Sequence, residues 1–139
     1  MKVEFTYMYR DASNHKRYNT VYLEGDMPDG IDSAAQYEKA IFDETDGGNF
    51  IATQVGLDTV FLFDSDPMED DHWWHEVFSI EETDEVPFAE CSPKEMLERF
   101  RKANKAGWNP GVEKVAHDID NGADIVYVDG KPFLLKVEA

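Results

Sequence analysis

Val3-Glu4-Phe5-Thr6-Tyr7-Met8-Tyr9-Arg10 sets an aliphatic or aromatic side chain at every odd position. Successive side chains of a strand point to opposite faces, so this alternation predicts a strand over residues 3–10 with one buried face. Residues 11–17 are rich in Asp, Ser and Asn, and Tyr18-Asn19-Thr20-Val21-Tyr22-Leu23-Glu24 resumes the strand pattern. Strand, polar turn and strand make an antiparallel hairpin, from which the rest of the chain is read outward.

A loop over residues 25–30, with Pro28, leads to Ser33 and Gln36, spaced as in a capping box. Ala34, Tyr37, Ala40 and Ile41 then recur at helical spacing up to about Thr45, and Asp46-Gly47-Gly48 ends that helix. Residues 50–52, 59–63 and 72–80 read as further strands. Ser92-Pro93-Lys94-Glu95 starts a second helix, because proline suits the first helical position and Ser with Glu three residues later satisfies two orphan amides. Met96, Leu97, Phe100 and Ala103 mark its buried stripe and Gly107 its end. Asn109-Pro110-Gly111 precedes a short helix over residues 112–120, and the chain closes in a hairpin of residues 125–128 and 133–137 about Asp129-Gly130. Short turns join successive strands and helices do not alternate regularly with them. The fold class is therefore α+β, a mostly antiparallel sheet with two main helices and a C-terminal short helix plus β-hairpin. The 139 residues fit one domain. Residues 1–106 form its body, and 107–139, too few for a core of their own, add to it.

The composition, 42% hydrophobic and 13% aromatic, is too apolar for a disordered acidic tail. A single cysteine, Cys91, excludes an internal disulfide and suits a reducing compartment. Met1-Lys2-Val3-Glu4 is followed by alternating sequence rather than the apolar run of a signal peptide, and no stretch is apolar enough to span a bilayer. The expectation is a cytoplasmic protein that does not engage membranes. The net charge is −17, and residues 24–98 carry 22 acids against Lys39 and Lys94 alone. The flanks are mildly basic. A field of one sign so confined points to a partner rather than to the fold, and it disfavours direct binding of nucleic acid.

Two acidic clusters flank the expected strand over 72–80: Asp64, Asp66, Glu69, Asp70 and Asp71 before it, and Glu81, Glu82, Asp84 and Glu85 after it, with Glu76 within. Glu38, Asp43 and Glu44 add to them from the first helix. On that strand Trp73 and Trp74 point to opposite faces, so one of them is a candidate anchor for a partner unless both faces are covered. The bland reading of the carboxylates is a solvated face that aids solubility. His72 and His75 beside Asp70, Asp71 and Glu76 raise a metal or hydrolase reading, but the acid follows the second histidine, unlike the helical His-Glu-x-x-His pattern, and a strand would part the two imidazoles. Cys91 precedes a helix cap that favours a thiolate, while Glu90 and Glu95 oppose it. Arg99, Arg101, Lys102 and Lys105 either complement the helix C-terminus or pair with the acidic surface. No phosphate loop, dinucleotide fingerprint, nucleophile elbow or zinc quartet occurs, so neither a catalytic residue, a metal nor a cofactor is assigned.

Tyr9-Arg10-Asp11-Ala12-Ser13-Asn14, with Gln54-Val55-Gly56-Leu57 and Asp70-Asp71-His72-Trp73, resembles a pattern of uncharacterised bacterial and mobile-element small acidic proteins over roughly the first 100 residues. The resemblance implies no activity and transfers no functional residue. The residues lead to a non-enzymatic acidic protein that occupies the basic, nucleic-acid-binding face of a nuclease or similar partner, as a phage or mobile-element inhibitor of a defence system, anti-CRISPR or DNA mimic, would. Asp64, Asp66, Glu69, Asp70, Asp71, Trp73, Trp74, Glu76, Glu81, Glu82, Asp84 and Glu85 are its expected contacts. The alternatives are a toxin-immunity protein and a metal-dependent enzyme using His72 and His75.

Overall fold

The computed structural model describes residues 1–61, 72–111, 125–128 and 131–134. In chain order the elements are β1 (Lys2–Arg10), β2 (Lys16–Glu24), α1 (Ala34–Asp43), β3 (Asn49–Phe50), a 3-10 turn (Ala52–Val55), β4 (His75–Glu82), β5 (Ala89–Cys91), α2 (Pro93–Ala106), β6 (Ile125–Val128) and β7 (Lys131–Leu134). The first five strands form one sheet in the order β3-β4-β1-β2-β5, antiparallel except for the short β2–β5 pairing. The α+β class with a mostly antiparallel sheet is thereby established.

The expected hairpin is present and longer than its apolar pattern, running from Lys2↔Glu24 to Arg10↔Lys16. Its loop is built by Asp11, whose carboxylate accepts the Ser13 and His15 N–H groups at 2.9 and 2.8 Å, while Asn14 takes the left-handed conformation that asparagine tolerates. The Tyr9–Asn14 motif is thus a strand end and its turn.

Val3, Phe5, Tyr7 and Tyr9 are fully buried on one face of β1. Tyr37 and Ile41 of α1, Met96, Leu97, Phe100 and Ala103 of α2, and Ala52 and Val55 of the 3-10 turn cover that face. Phe5, Phe50 and Phe100 pack as a ring cluster with centroids 5.1–6.4 Å apart. Both helix starts sit where expected: the Ser33 hydroxyl accepts the Gln36 N–H and the Ser92 hydroxyl the Glu95 N–H. Neither box closes as expected, however. Gln36 accepts from Asp32 N instead, and the Glu95 carboxylate turns to Arg99, 3.6 Å away.

Several boundaries differ from the sequence reading. α1 stops at Asp43 with Glu44 as its cap, and Asp46-Gly47-Gly48-Asn49 is a two-residue turn with positive φ at both glycines, closed by Asp46 N–H to Asn49 O at 2.8 Å. The strand expected over 50–52 is only Asn49–Phe50, because the chain then coils into the 3-10 turn. The described part of the strand expected over 59–63 is irregular. Backbone groups here and at the preceding Asp58 are taken by side chains of other strands: Tyr7 Oη donates to Asp58 O, Val60 N–H to His75 Nε2, and Arg17 to Phe61 O. β4 begins at His75 rather than at residue 72 and takes in Glu81 and Glu82. β5 was not expected at all. The short helix over 112–120 lies outside the described residues. In the C-terminal hairpin β7 starts at Lys131, two residues before the expected Phe133, with Val128↔Lys131 as its last pair, and residues 135–137 lie outside the description.

β3 covers only the start of β4, so the rest of that strand would present unpaired amides. Gly48 O accepts the Val77 N–H at 2.9 Å, and Glu38, reaching down from α1, accepts the Ile80 N–H at 3.0 Å. A carboxylate on a strand amide is a charge-assisted bond that also closes the edge to other strands. Glu38→Ala is expected to lower unfolding free energy by about 1–3 kcal/mol, since it orphans a half-buried amide, and Glu38→Gln, which keeps an oxygen there, by less. Denaturant midpoints measure both. An alanine variant as stable as the parent would show that the carboxylate does not hold this edge.

Candidate functional site

His72, Trp73, Trp74 and His75 meet the sheet beside Tyr9. The Tyr9 phenol donates to His72 O at 2.9 Å, His72 Nε2 donates to Arg10 O at 2.6 Å, and His72 Nδ1 accepts the Trp74 N–H at 3.1 Å. Because the Trp74 amide is satisfied by an imidazole, residues 72–74 stand outside the ladder. The strand argument for separating the two histidines is therefore overturned: both rings pack on Tyr9, with centroids 5.0 and 5.7 Å from it. Their lone pairs are nevertheless committed, His72 Nδ1 to Trp74 N–H and His75 Nε2 to Val60 N–H at 3.0 Å. A metal ligand needs such a lone pair. Here the imidazoles order backbone.

The two tryptophans do have different surroundings, though both are half-buried. Trp73 stands edge-to-face on Phe61 at 5.3 Å. Trp74 walls an open polar cleft of about 480 Å3 with Arg10, Asp46, Asn49, His72 and Glu76. In it Arg10 pairs with Glu76 at 3.3 Å and donates to Asn14 at 3.1 Å.

Of the acids, Asp64, Asp66, Glu69, Asp70 and Asp71 lie outside the described residues. Glu81, Glu82, Asp84 and Glu85 are exposed and make no ion pair among the described residues. Glu81 stands directly opposite Glu4 of β1. The carboxylates of α1 and of its cap are partnered within the chain: Glu38 on Ile80, Asp43 on Lys39 at 2.7 Å at the surface, and Glu44 accepting from Asn104 at 3.0 Å. Of the basic run, Arg99 pairs with Glu90 and Glu95 and Arg101 with Glu44, while Lys102 and Lys105 are exposed. Burial pushes the half-buried Cys91 thiol up to about 11; nearby Arg99 opposes this, and Glu95 and Glu90 add to it. The thiol is protonated near neutral pH and a poor nucleophile.

The sequence reading did not single out Tyr18 and Phe78. They lie on the sheet face that α1 and α2 leave open, 47% and 56% exposed, edge-to-face at 5.0 Å. Their signal was the outward phase of β2 and β4, legible only once the register is known.

No protein-family model matches the chain, and no curated protein or solved structure matches it. No helix among the described residues is long and apolar enough to cross a membrane.

His75 is boxed by Tyr7, Phe50 and Phe61 as well as Tyr9, and its Nδ1–H has no hydrogen-bond acceptor among the described residues. Burial, helped by the neighbouring His72, drops its pKa to about 3. Unfolded His75 takes up a proton near pH 6.5, whereas folded His75 stays neutral down to about pH 3. The unfolded state thus binds more protons across this window, and stability that is complete above pH 6.5 drains away as pH falls toward 3. The expected slope from this group is about 1.4 kcal/mol per pH unit, or ~2 kcal/mol between pH 6.5 and 5. His75→Gln keeps an acceptor for Val60 without the titration and should flatten the slope by that amount. Identical slopes in parent and variant, read from urea melts, would refute it.

Proposed function

We propose that the protein is a non-enzymatic acidic binder that occupies the basic, nucleic-acid-binding face of a partner such as a nuclease, in the manner of a mobile-element inhibitor of a defence system. The observation that carries this reading is the run Glu81, Glu82, Asp84 and Glu85. These carboxylates stay in solvent, with no ion pair among the described residues, while other acids of the same block, Glu38, Glu44 and Glu90, are tied into the fold. A cluster kept free of internal cations retains its field for an incoming one, which speeds encounter and selects a basic surface. The net charge of −17 sets the sign of that field over the whole molecule.

Duplex DNA is the natural competitor for such a partner, since it presents about one negative charge per 1.7 Å of axis. The immobilised chain, exposed to a lysate of the cell in which it is found, should retain a nucleic-acid-handling protein that duplex DNA displaces. Raising salt from 0.1 to 1 M shrinks the Debye length from about 10 to about 3 Å and should release it. The variant Glu81→Gln, Glu82→Gln, Asp84→Asn, Glu85→Gln should retain much less. Retention that ignores both salt and DNA argues against the proposal.

A further inference from the structure

We infer that the uncovered sheet face is an arginine-docking surface, in which Tyr18 and Phe78 form an aromatic platform, Glu4 and Glu81 supply carboxylates, and the occupant is an extended arginine-rich segment of a basic partner. The inference rests on the proposed binding of a basic partner and gives that binding a place. Four observations carry it.

The face has no helix on it among the described residues, and the two rings at its centre remain 47% and 56% exposed while touching each other. Single exposed apolar residues are ordinary, but an aromatic pair on an open sheet is a platform. Thr20 and Tyr22 extend it along β2 into a groove of about 200 Å3 walled by Pro87 and Phe88, the latter 77% exposed.

Further along the same face, Glu4 stands opposite Glu81 on one side and Tyr22 on the other. Like charges directly opposed across strands cost stability. Among the described residues no cation pairs with either. A guanidinium set between the two carboxylates relieves that repulsion and can bond both.

The spacing suits one extended chain. Met8, opposite Tyr18, is four residues from Glu4, so platform and carboxylates lie roughly 13 Å apart, the same interval as two arginines four residues apart on a strand. Between them the half-buried Thr20 and Ser79 offer hydroxyls, while Thr6 and Met8 are buried beneath, Thr6 bonded to Thr20 at 2.8 Å.

Charge is also unevenly placed along the face. Beyond the platform stand Lys16 and Arg10, the latter paired with Glu76, whereas Glu4, Glu81 and Glu24 gather at the opposite end with Lys2 alone, so the excess of carboxylates that draws a cationic segment lies at that end. Arginine is the fitting cation because its planar group stacks on rings and forks onto carboxylates, which an ammonium cannot do.

The probe is acetylated hexa-arginine amide, compared with the hexalysine of equal charge, titrated into the 15N-labelled chain at low salt. Amide shifts should concentrate at Glu4, Thr6, Tyr18, Phe78 and Glu81. Hexa-arginine should bind several-fold tighter than hexalysine. Phe78→Ser or Tyr18→Ser should weaken hexa-arginine about fivefold and hexalysine little, and Glu4→Gln with Glu81→Gln should weaken both about tenfold. All these side chains are at least partly solvent-exposed, and the spectra of the variants report whether the fold is kept. Hexa-arginine that shifts only acids elsewhere and ignores Phe78→Ser overturns this surface while leaving the acidic-binder reading standing. A chain that binds neither peptide overturns both. Sedimentation showing a dimer that Phe78→Ser turns into a monomer gives the face to a second copy and equally overturns the inference.

Discussion

The inward face of β1 is the constraint on which the rest of the structure depends. Val3, Phe5, Tyr7 and Tyr9 are completely buried in a strand flanked on both sides, so each supplies its full apolar area to one core. Two of them carry phenols, and a buried phenol needs a partner. Tyr7 gives its proton to Asp58 O and takes one from Asn19, and Tyr9 gives its own to His72 O. The strand therefore does more than bury area. Its polar tips fix the course of two stretches, 57–61 and 72–74, that have no regular structure of their own.

The same economy governs the charges. An acidic block of 22 carboxylates invites treatment as one reservoir, but the fold divides it. Glu38 closes the β4 edge, Glu44 accepts from Asn104 while its carbonyl takes the Trp108 indole N–H at 3.2 Å, and Glu90 holds Arg99, which in turn donates to Val55 O. These acids tie helix to sheet and the end of α2 to α1. Among the described residues Glu81, Glu82, Asp84 and Glu85 at the end of β4 make no such tie, so the fold divides carboxylates that the sequence total lumps together.

Strong local signals were legible in the sequence: the period of two in β1 and β2, the two serine caps, the buried stripe of α2. Each depends on residues within a few positions of one another. What could not be read depends on contacts over long separations. Residues 59–61 have strand composition, yet Val60 and Phe61 bond the side chains of His75 and Arg17, 15 and 44 positions away, and Asp58 just before them bonds that of Tyr7, 51 away. Likewise the start of β4 was placed too early because nothing local shows that Tyr9 and Arg10, 63 and 62 positions away, hold His72 where its ring takes the Trp74 amide. The candidate acids at 81–85 were legible as composition, but that they make no ion pair among the described residues was not. β5 is only three residues long, below what a pattern of period two can reveal.

The exposure of Phe78 follows from a conflict of phase within β4. His75 and Val77 are two apart and share the inner side, whereas Ile80, which is also buried, is three from Val77. A strand of strict period two would put Ile80 in solvent. The register shift between Thr6 and Tyr7 resolves this: Tyr7 pairs with Val77, Thr6 with Ser79, and Phe78 is the extra residue. A bulge of this kind turns two successive side chains outward and bends the strand. The phenyl ring then meets Tyr18 across β1 rather than a core. An outward aromatic could have been avoided by a polar residue at position 78, since the bulge needs only the extra residue and not its side chain. The fold explains why position 78 faces out, and the ring placed there is half of an aromatic pair with Tyr18, the residue that stands opposite the buried Met8.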